Sequence, residues 1–335
     1  MAVSVRDVAV AASVSVGTVS NVLNNPARVS PEMVARVQQA IADLGFVRND
    51  AARQLRAGRS RSIGIVVLDI GNPFFAEVAR GAETRAAESG MAVLLSTSDE
   101  KPEREAAHLD LFREQRVNGV LVTPAGDDLG RLDALRAAGV PVVLVDREVD
   151  DDAFASVSVD DVEGGYLAVA HLLARGRRRI AFVRGPASIR QVADRLEGAR
   201  RAVAEVPGAT LEEVPVPALS VLHGRSAGER LRERAGDDRV DAVFAANDLL
   251  AVGVLQAFSV LGRVRVPEEV ALIGYDDIDF ASATVVPLSS IRQPAHEIGY
   301  RAVDLLLRGL DDPAGAYERR VRFRPELVAR DSTGG

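Results

Sequence analysis

The 335-residue chain contains no cysteine and no tryptophan, and its formal charge of −7 gives no sign of a liking for polyanions. Without cysteine there are no disulfides, thiol nucleophiles or thiolate metal ligands, which suits a reducing compartment. No apolar run approaches the roughly 18 residues of a membrane-spanning helix. Arg6 and Asp7 fall where a secretory signal would need apolar residues. A soluble, cytoplasmic protein with no membrane partner is expected. The four histidines, His108, His171, His223 and His296, are scattered without metal-ligand spacing. No phosphate loop, dinucleotide fingerprint or nucleophile elbow occurs. Asp276-Asp277 could in principle serve as an acid-base pair, but with nothing else of the kind around it the reading is no metal, no cofactor and no enzyme.

What is present is core material: 47% of residues are hydrophobic and 27% charged, enough for two or three compact units. The charge is also unevenly spread. Residues 1–62 carry eight arginines against Asp7, Glu32, Asp43 and Asp50, a net +4, which leaves −11 for the remainder. A basic head on an acidic body is the distribution expected when only the head meets a polyanion.

The first 45 residues read as three short helices. Ser4 caps one over about 5–11, Ser15 caps a second over about 16–23, and Ser30-Pro31-Glu32 opens a third that ends at Gly45. Residues 49–56 could add two turns of helix, too short to be stable unsupported. From Ser62 the texture changes to apolar bursts of strand length (63–68, 92–96, 119–123, 142–145) separated by helical stretches (75–89, 103–116, 128–138). A second series follows, with strands at 180–183, 242–245 and 270–273 and helices at 162–175, 190–204, 224–235 and 248–261. Such alternation predicts parallel sheets covered on both faces, with ligands bound at the carboxyl ends of their strands. A last helix (295–308) and a strand (319–323) return to these units, and the tail 331–335 reads as loose.

Certain residues are more specific. Val5-Arg6-Asp7-Val8-Ala9, Ser13-Val14-Ser15-Val16-Gly17-Thr18-Val19-Ser20-Asn21-Val22-Leu23-Asn24, Leu44-Gly45-Phe46, the stretch from Ala52 to Leu55, Asn72-Pro73-Phe74-Phe75, Asp146-Arg147, Asn247-Asp248 and Gly274-Tyr275-Asp276-Asp277 occur in this order over nearly the whole chain. Together they resemble the lactose/galactose repressor family of bacterial transcription factors. The resemblance implies a small all-α helix-turn-helix head (1–46), a hinge helix and linker (47–61), and a 62–335 core of two tandem parallel-sheet subdomains like the periplasmic sugar-binding proteins. The lobes would be 62–160 with 292–310, and 161–290 with 311–330. It also implies a homodimer on double-stranded operator DNA that answers a small-molecule effector, usually a sugar. The family's tetramers carry a carboxyl-terminal leucine heptad that this sequence does not show, so a dimer is expected.

On this resemblance the second helix reads bases, with Val16 against a thymine methyl, Gly17 allowing close approach and Asn21 reaching a base edge, while Val19 belongs to the bundle core. Ser20 and Asn24 share the reading face, and Ser4 and Thr18 hold phosphates. Ala52 and Leu55 of the hinge would enter the minor groove, Leu55 as a wedge, with Arg56 on the backbone. For the effector the implied residues are Asn72, Phe74, Phe75, Asp146, Arg147, Arg195, Asn247, Asp276 and Gln293. Rings can stack on a sugar's apolar face while carboxylates accept from hydroxyls and Arg, Asn and Gln donate. Val214 to Gly224 departs from the family by lacking the aromatic residue that closes the pocket, with Ala218 or Leu219 in its place. A ribose-like monosaccharide is favoured, and a bulkier sugar, a non-sugar ligand or a protein corepressor stays open. Neither the sign of the effector's action nor the operator can be read from the chain.

Overall fold

The computed structural model describes residues 3–46, 60–148, 153–260, 264–312 and 317–334. The chain divides into two compact units, Met1–Ser60 and Arg61–Gly335. Ala52, Leu55 and Arg56, and the short helix expected around them, lie outside the described residues.

The first unit is the helical bundle read from the sequence: α1 (Val5–Ala11), α2 (Val16–Asn24) and α3 (Pro31–Leu44). Ser4 and Asp7 form a reciprocal capping box on α1, and the Ser15 hydroxyl accepts the Thr18 N–H on α2. Gly45 stops α3 in the left-handed conformation, with φ +60°. Val8, Val19, Val22, Val37 and Phe46 meet in its core.

The second unit begins with β1 (Ser62–Val67), α4 (Pro73–Glu88), β2 (Ala92–Thr97), α5 (Pro102–Glu114), β3 (Val120–Val122), α6 (Gly130–Ala137), β4 (Val142–Val145) and β5 (Ala155–Val159). It continues with α7 (Asp161–Ala174), β6 (Arg179–Arg184), α8 (Arg190–Ala204), β7 (Thr210–Pro215), α9 (Val221–Arg232), β8 (Ala242–Ala245), α10 (Asp248–Leu255) and β9 (Ala271–Ile273). The last elements are α11 (Asp279–Ser282), β10 (Ser290–Arg292), α12 (Ala295–Asp311), β11 (Arg320–Phe323) and β12 (Glu326–Val328). One parallel sheet has the order β11-β5-β4-β3-β1-β2 and another β7-β6-β8-β9, while β10 pairs antiparallel with β12. Strands such as β4 and β8 are buried at every residue, as sheets covered on both faces require. The chain therefore passes between the lobes three times, after β5, after β10 and after β11.

Four features depart from the sequence reading. Segment 311–330 does not belong wholly to the second lobe: β11 pairs in parallel with β5, from Arg320 opposite Ser156 to Phe323 opposite Val159, and so covers an otherwise open edge of the first sheet. β5, β7 and the three-residue β10 and β12 carry no strong apolar run, so only their partners define them. The helix expected over 248–261 widens into a π-turn at Gln256–Val260. Finally, the tail is held: Ser332 and Thr333 are buried, and the Ser332 hydroxyl donates to Leu272 O (2.6 Å) and accepts from the Ser289 N–H (2.8 Å).

Close helix crossings fix each lobe. A Cβ on Gly299 of α12 would sit 1.8 Å from Val78 O of α4, and one on Gly81 1.9 Å from His296 O. In the second lobe a Cβ on Gly198 of α8 would meet Val162 O of α7 at 1.8 Å. Gly299→Ala is accordingly expected to destabilise the core by about 1–3 kcal/mol through overpacking, more than its gain in helix propensity. A thermal melt checks this, and an undiminished melting temperature would mean that these helices part freely.

Candidate functional site

In the head, α2 divides along its length. Val19 and Val22 are buried, whereas Val16 (45% exposed), Gly17, Asn21 and Asn24 face solvent and Thr18 and Ser20 are half-buried. Positions 16, 17, 20, 21 and 24 fall on one helical face because 3.6 residues make a turn. The polar side chains on or beside this face already have local partners. Asn24 Nδ2 donates to Ser20 O (2.8 Å), Thr18 Oγ1 lies 2.9 Å from Ser15 Oγ, and the Ser4 hydroxyl donates to Asp7 Oδ2 (2.7 Å). Ser4 bonds, backbone and side chain, hold the Asp7 carboxyl below its usual range. The Ser4 hydroxyl is thus engaged with Asp7 in the capping box.

In the core, the cleft between the lobes is built at the carboxyl ends of the strands. A cavity of about 430 Å³, partly open to solvent, is lined by Asn72, Phe74, Phe75, Asp146, Arg195, Asn247 and Asp276. These are seven of the nine residues read from the sequence. Asn72 and Asn247 are there because each caps a helix: Oδ1 of Asn72 accepts the Phe74 N–H (3.1 Å), and Oδ1 of Asn247 accepts the Leu250 N–H (2.9 Å). Each amide nitrogen is left to reach elsewhere, Asn72 Nδ2 across the lobes to Asp276 Oδ2 (2.9 Å). Phe74 and Phe75 form an edge-to-face pair with centroids 5.0 Å apart. Asp146 and Asp276 adopt left-handed backbone, with φ +55° and +105°, so local strain concentrates where both carboxylates enter the cleft.

The remaining two residues stand beside the cavity rather than in its wall. Arg147 follows the left-handed Asp146, which turns its side chain into a neighbouring chamber; there Nη2 pairs with Asp127 Oδ1 at 2.6 Å. Gln293 lies behind Asp276, donating Nε2 to Asp276 Oδ1 at 2.8 Å. Conversely, Asp69, Glu100 and Gln191 line the cavity without having been read from the sequence, and Leu219 lies there where the family's aromatic residue is missing. Gln191 stands one helical turn before Arg195 on α8, and Nε2 donates to Asp146 Oδ2 (3.0 Å). That spacing was a usable signal. Glu100 follows Asp99 in a loop where both have positive φ, and nothing in the local sequence points it inward.

Electrostatics follow from burial. Arg195 Nε binds Asp161 Oδ1 (2.7 Å), Nη1 binds Ala246 O (2.7 Å), and the guanidinium stacks 3.6 Å from the Tyr275 ring centroid. Burial alone would lower the Arg195 pKa; Asp161, Tyr275, Asp276 and Asp146 together raise it instead. Burial pushes Asp146 and Asp248 well above the carboxylate range and Asp276 up to about 6, against the opposing pull of Arg195, Asn72 and Gln293 on Asp276. Glu100 is raised by burial, partly opposed by a hydrogen bond from the Leu219 backbone. Because Asp276 keeps its proton to about 6 when folded and releases it near 3.8 otherwise, its contribution to stability is full below 3.8 and lost as pH rises through 6. A ligand hydroxyl that donates to Asp276 is held more strongly by the ionised form. Ligand affinity is therefore expected to fall as pH drops below about 6, by at most about tenfold per unit. Calorimetric titrations between pH 5 and 8 would test this, and a flat profile would remove Asp276 from ligand contact.

Among the described residues no group of three or more His, Asp or Glu side chains is arranged to hold a metal ion, and no helix is long and apolar enough to cross a membrane. The arrangement suits reversible binding of a polar ligand, with both donors and acceptors in the wall.

Comparison with known proteins identifies the family of both units. The sequence pattern of the bacterial regulatory proteins of the lacI family matches residues 4–49, and that of the periplasmic binding protein-like domain matches residues 169–333. The ribose operon repressor of Bacillus subtilis (strain 168) is 35% identical over 330 residues, covering 98% of each chain. The lac repressor dimer bound to operator and the anti-inducer ONPF superposes with a TM-score of 0.85 at 27% identity, covering 99% of both chains. The transcriptional regulator CelR in complex with cellobiose has a TM-score of 0.71 at 31% identity, covering 98% of this chain and 99% of that one.

Proposed function

Because the chain belongs to the lacI family of bacterial regulatory proteins, we propose that its homodimer represses transcription in the cytoplasm by binding a pseudo-palindromic operator, and that a small sugar in the interlobe cleft releases it. Val16, Gly17 and Asn21 on the exposed face of α2 read bases, with Ser20 and Asn24 beside them, and Thr18 with the backbone amides at the helix starts holds phosphates.

The observation that carries the ligand class is a set of buried polar atoms in and beside the cleft without partners: the acceptors Asp146 Oδ1 and Gln293 Oε1 and the donor Arg147 Nε. A hydroxyl both donates and accepts, so a polyol can answer the unpartnered Asp146 Oδ1 and the mixed carboxylate, amide and guanidinium groups of the cavity wall together. Phe74 and Phe75 supply the apolar face against which a sugar ring stacks. Asn72–Asp276 and Asp146–Gln191 are hydrogen bonds between the lobes, and a ligand that inserts between these groups changes the lobe angle. Operator and ligand then weaken each other by one common factor, as linkage requires.

Exposed apolar residues support the dimer: Leu94 and Leu95 on the edge strand β2, and Leu222 and Phe280 in the second lobe, are large side chains left in solvent by a single chain. Leu95→Asp is expected to shift the protein toward monomer in sedimentation and to weaken operator binding in step. A stable dimer in that variant would place the interface elsewhere.

The test of the function is selection of the full-length chain's operator from random duplexes, followed by fluorescence anisotropy with added pentoses and hexoses. Specific binding released by a sugar supports the reading. Specific binding indifferent to all sugars but relieved by nucleosides or other metabolites would overturn the ligand class, and no sequence preference would overturn the whole.

A further inference from the structure

The helix proposed to read bases carries no charge. From Val16 to Asn24, α2 has no arginine, lysine, histidine or acid, and at its amino end Val16 offers only methyl groups and Gly17 no side chain at all. Guanine shows two acceptors, N7 and O6, on its major-groove edge, and the side chain that pairs with both in one plane is arginine. A head that reads a guanine must therefore draw its cation from another element.

The neighbouring face of α1 supplies one. Arg6, Ala9 and Val10 fall three and four residues apart on one side of that helix, and with Val14 and Val16 they line a shallow hollow open to solvent. Arg6 is exposed and, among the described residues, has neither a hydrogen bond nor an ion pair. Its sequence neighbour Asp7 is occupied by the backbone and hydroxyl of Ser4.

We propose that Arg6 reads a guanine of the operator from α1, its guanidinium reaching N7 and O6 across the hollow that it shares with Val16. This rests on the reading that the amino end of α2 enters the major groove. Three observations carry it. The hollow is apolar around the guanidinium, with Val10 78% and Val16 45% exposed. A hydrated phosphate gains nothing from exposed valines, whereas a base-pair edge carries acceptors and, on thymine, a methyl group. The second observation is Gly17. A Cβ there would meet only Ser15 Oγ, at an ordinary 3.5 Å, so nothing inside the head requires glycine, which is a poorer helix former than alanine. The missing side chain instead suits a body outside the head that approaches beside Val16, close enough for Arg6 to reach it. The third is position. Of the three arginines described in the head, Arg28 follows the carboxyl end of α2 and Arg36 lies on α3, and neither lines the hollow. Base edges meet the amino-terminal residues of a reading helix, which is the end that Arg6 adjoins.

The test is fluorescence anisotropy of the full-length chain on its selected operator, with each guanine of a half-site exchanged in turn for adenine, or for 7-deazaguanine, which still pairs with cytosine but lacks the N7 acceptor. The expected result is one guanine per half-site at which adenine costs about tenfold or more and 7-deazaguanine a measurable part of that. Both penalties should vanish in Arg6→Ala, while preferences at the other positions persist. The melting temperature should stay parental, because Arg6 makes no bond within the head. Should Arg6→Ala bind too weakly to titrate, Arg6→Gln, which lacks both the charge and the fork, gives the same comparison. A variant that binds every sequence more weakly by one factor, with a shallower salt dependence and the guanine preference intact, would make Arg6 a phosphate contact. That result, or parental affinity and preference, would overturn the proposal and leave reading by α2 standing. No sequence preference in the parent protein would overturn both.

Discussion

An Arg195→Met variant should lose the effector response entirely and be markedly less stable, and adding Asp161→Asn should restore the stability but not the response. Arg195 and Asp161 are both nearly inaccessible, with side-chain exposures of 5% and 6%, and they pair at 2.7 Å. Removing one member of a buried pair leaves the other charge uncompensated, which typically costs about 3–5 kcal/mol, whereas removing both is far milder. The cost is compounded here because Asp146 and Asp276, carboxylates already raised by burial, draw on the same guanidinium. The two substitutions separate roles that a single one confounds. Arg195 supports the fold through Asp161 and Ala246 O, and it lines the cavity proposed to hold the ligand. Urea unfolding monitors the first and calorimetric titration the second. A single variant as stable as the parent would contradict the charge argument, and a double variant that still answers ligand would displace Arg195 from the binding site. Operator affinity at fixed folded concentration should be untouched in both.

Leu55→Ala is the counterpart on the DNA side, and it should weaken operator binding by about ten- to a hundredfold while leaving effector affinity unchanged. The basis is the sequence resemblance, since Leu55 lies outside the described residues. An apolar side chain wedged between base steps costs a few kcal/mol of unstacking, which the contacts of the bent duplex offset; alanine is too short to hold the wedge. Substitution on the exposed face of α2 should differ in kind. Val16→Ala ought to alter preference at one base position, because Val16 is 45% exposed on the face of α2 proposed to read bases, whereas loss of the hinge wedge weakens every operator alike. The basic head also implies that affinity falls steeply as salt rises, because phosphate contacts release counterions. Anisotropy with the selected operator at two salt concentrations measures these effects, and a Leu55→Ala protein with parental affinity would refute the wedge.

The first of these predictions was legible in the sequence only in part. Arg195 and Asp276 were named there, as were both capping asparagines, because helix starts and strand ends carry local signals. The partner that makes Arg195 structural, Asp161, sits at the start of α7 across the lobe, and no local pattern links the two. Gln191 could have been found from its spacing to Arg195, but Glu100 could not, since its inward direction comes from two successive left-handed residues. Arg147 was named for the cleft and stands beside it, turned aside by the left-handed Asp146 and held by Asp127. In the fold the limits were similar: the polar edge strand β7 and the short β10 and β12 have too few apolar residues to announce themselves, and β11 reached the first sheet where the sequence pointed to the second.

The sequence by itself determined most of the elements and their order, the basic head on an acidic body and most of the residues that line the cavity. Caps, helical periodicity and continuous apolar strands act over a few residues, and charge simply adds along the chain. Only the tertiary structure decided which carboxylates are buried, which cation answers which anion, and which lobe receives β11. These depend on groups tens to hundreds of residues apart meeting in a medium where an unpaired charge is costly, a condition that no local stretch of sequence can express.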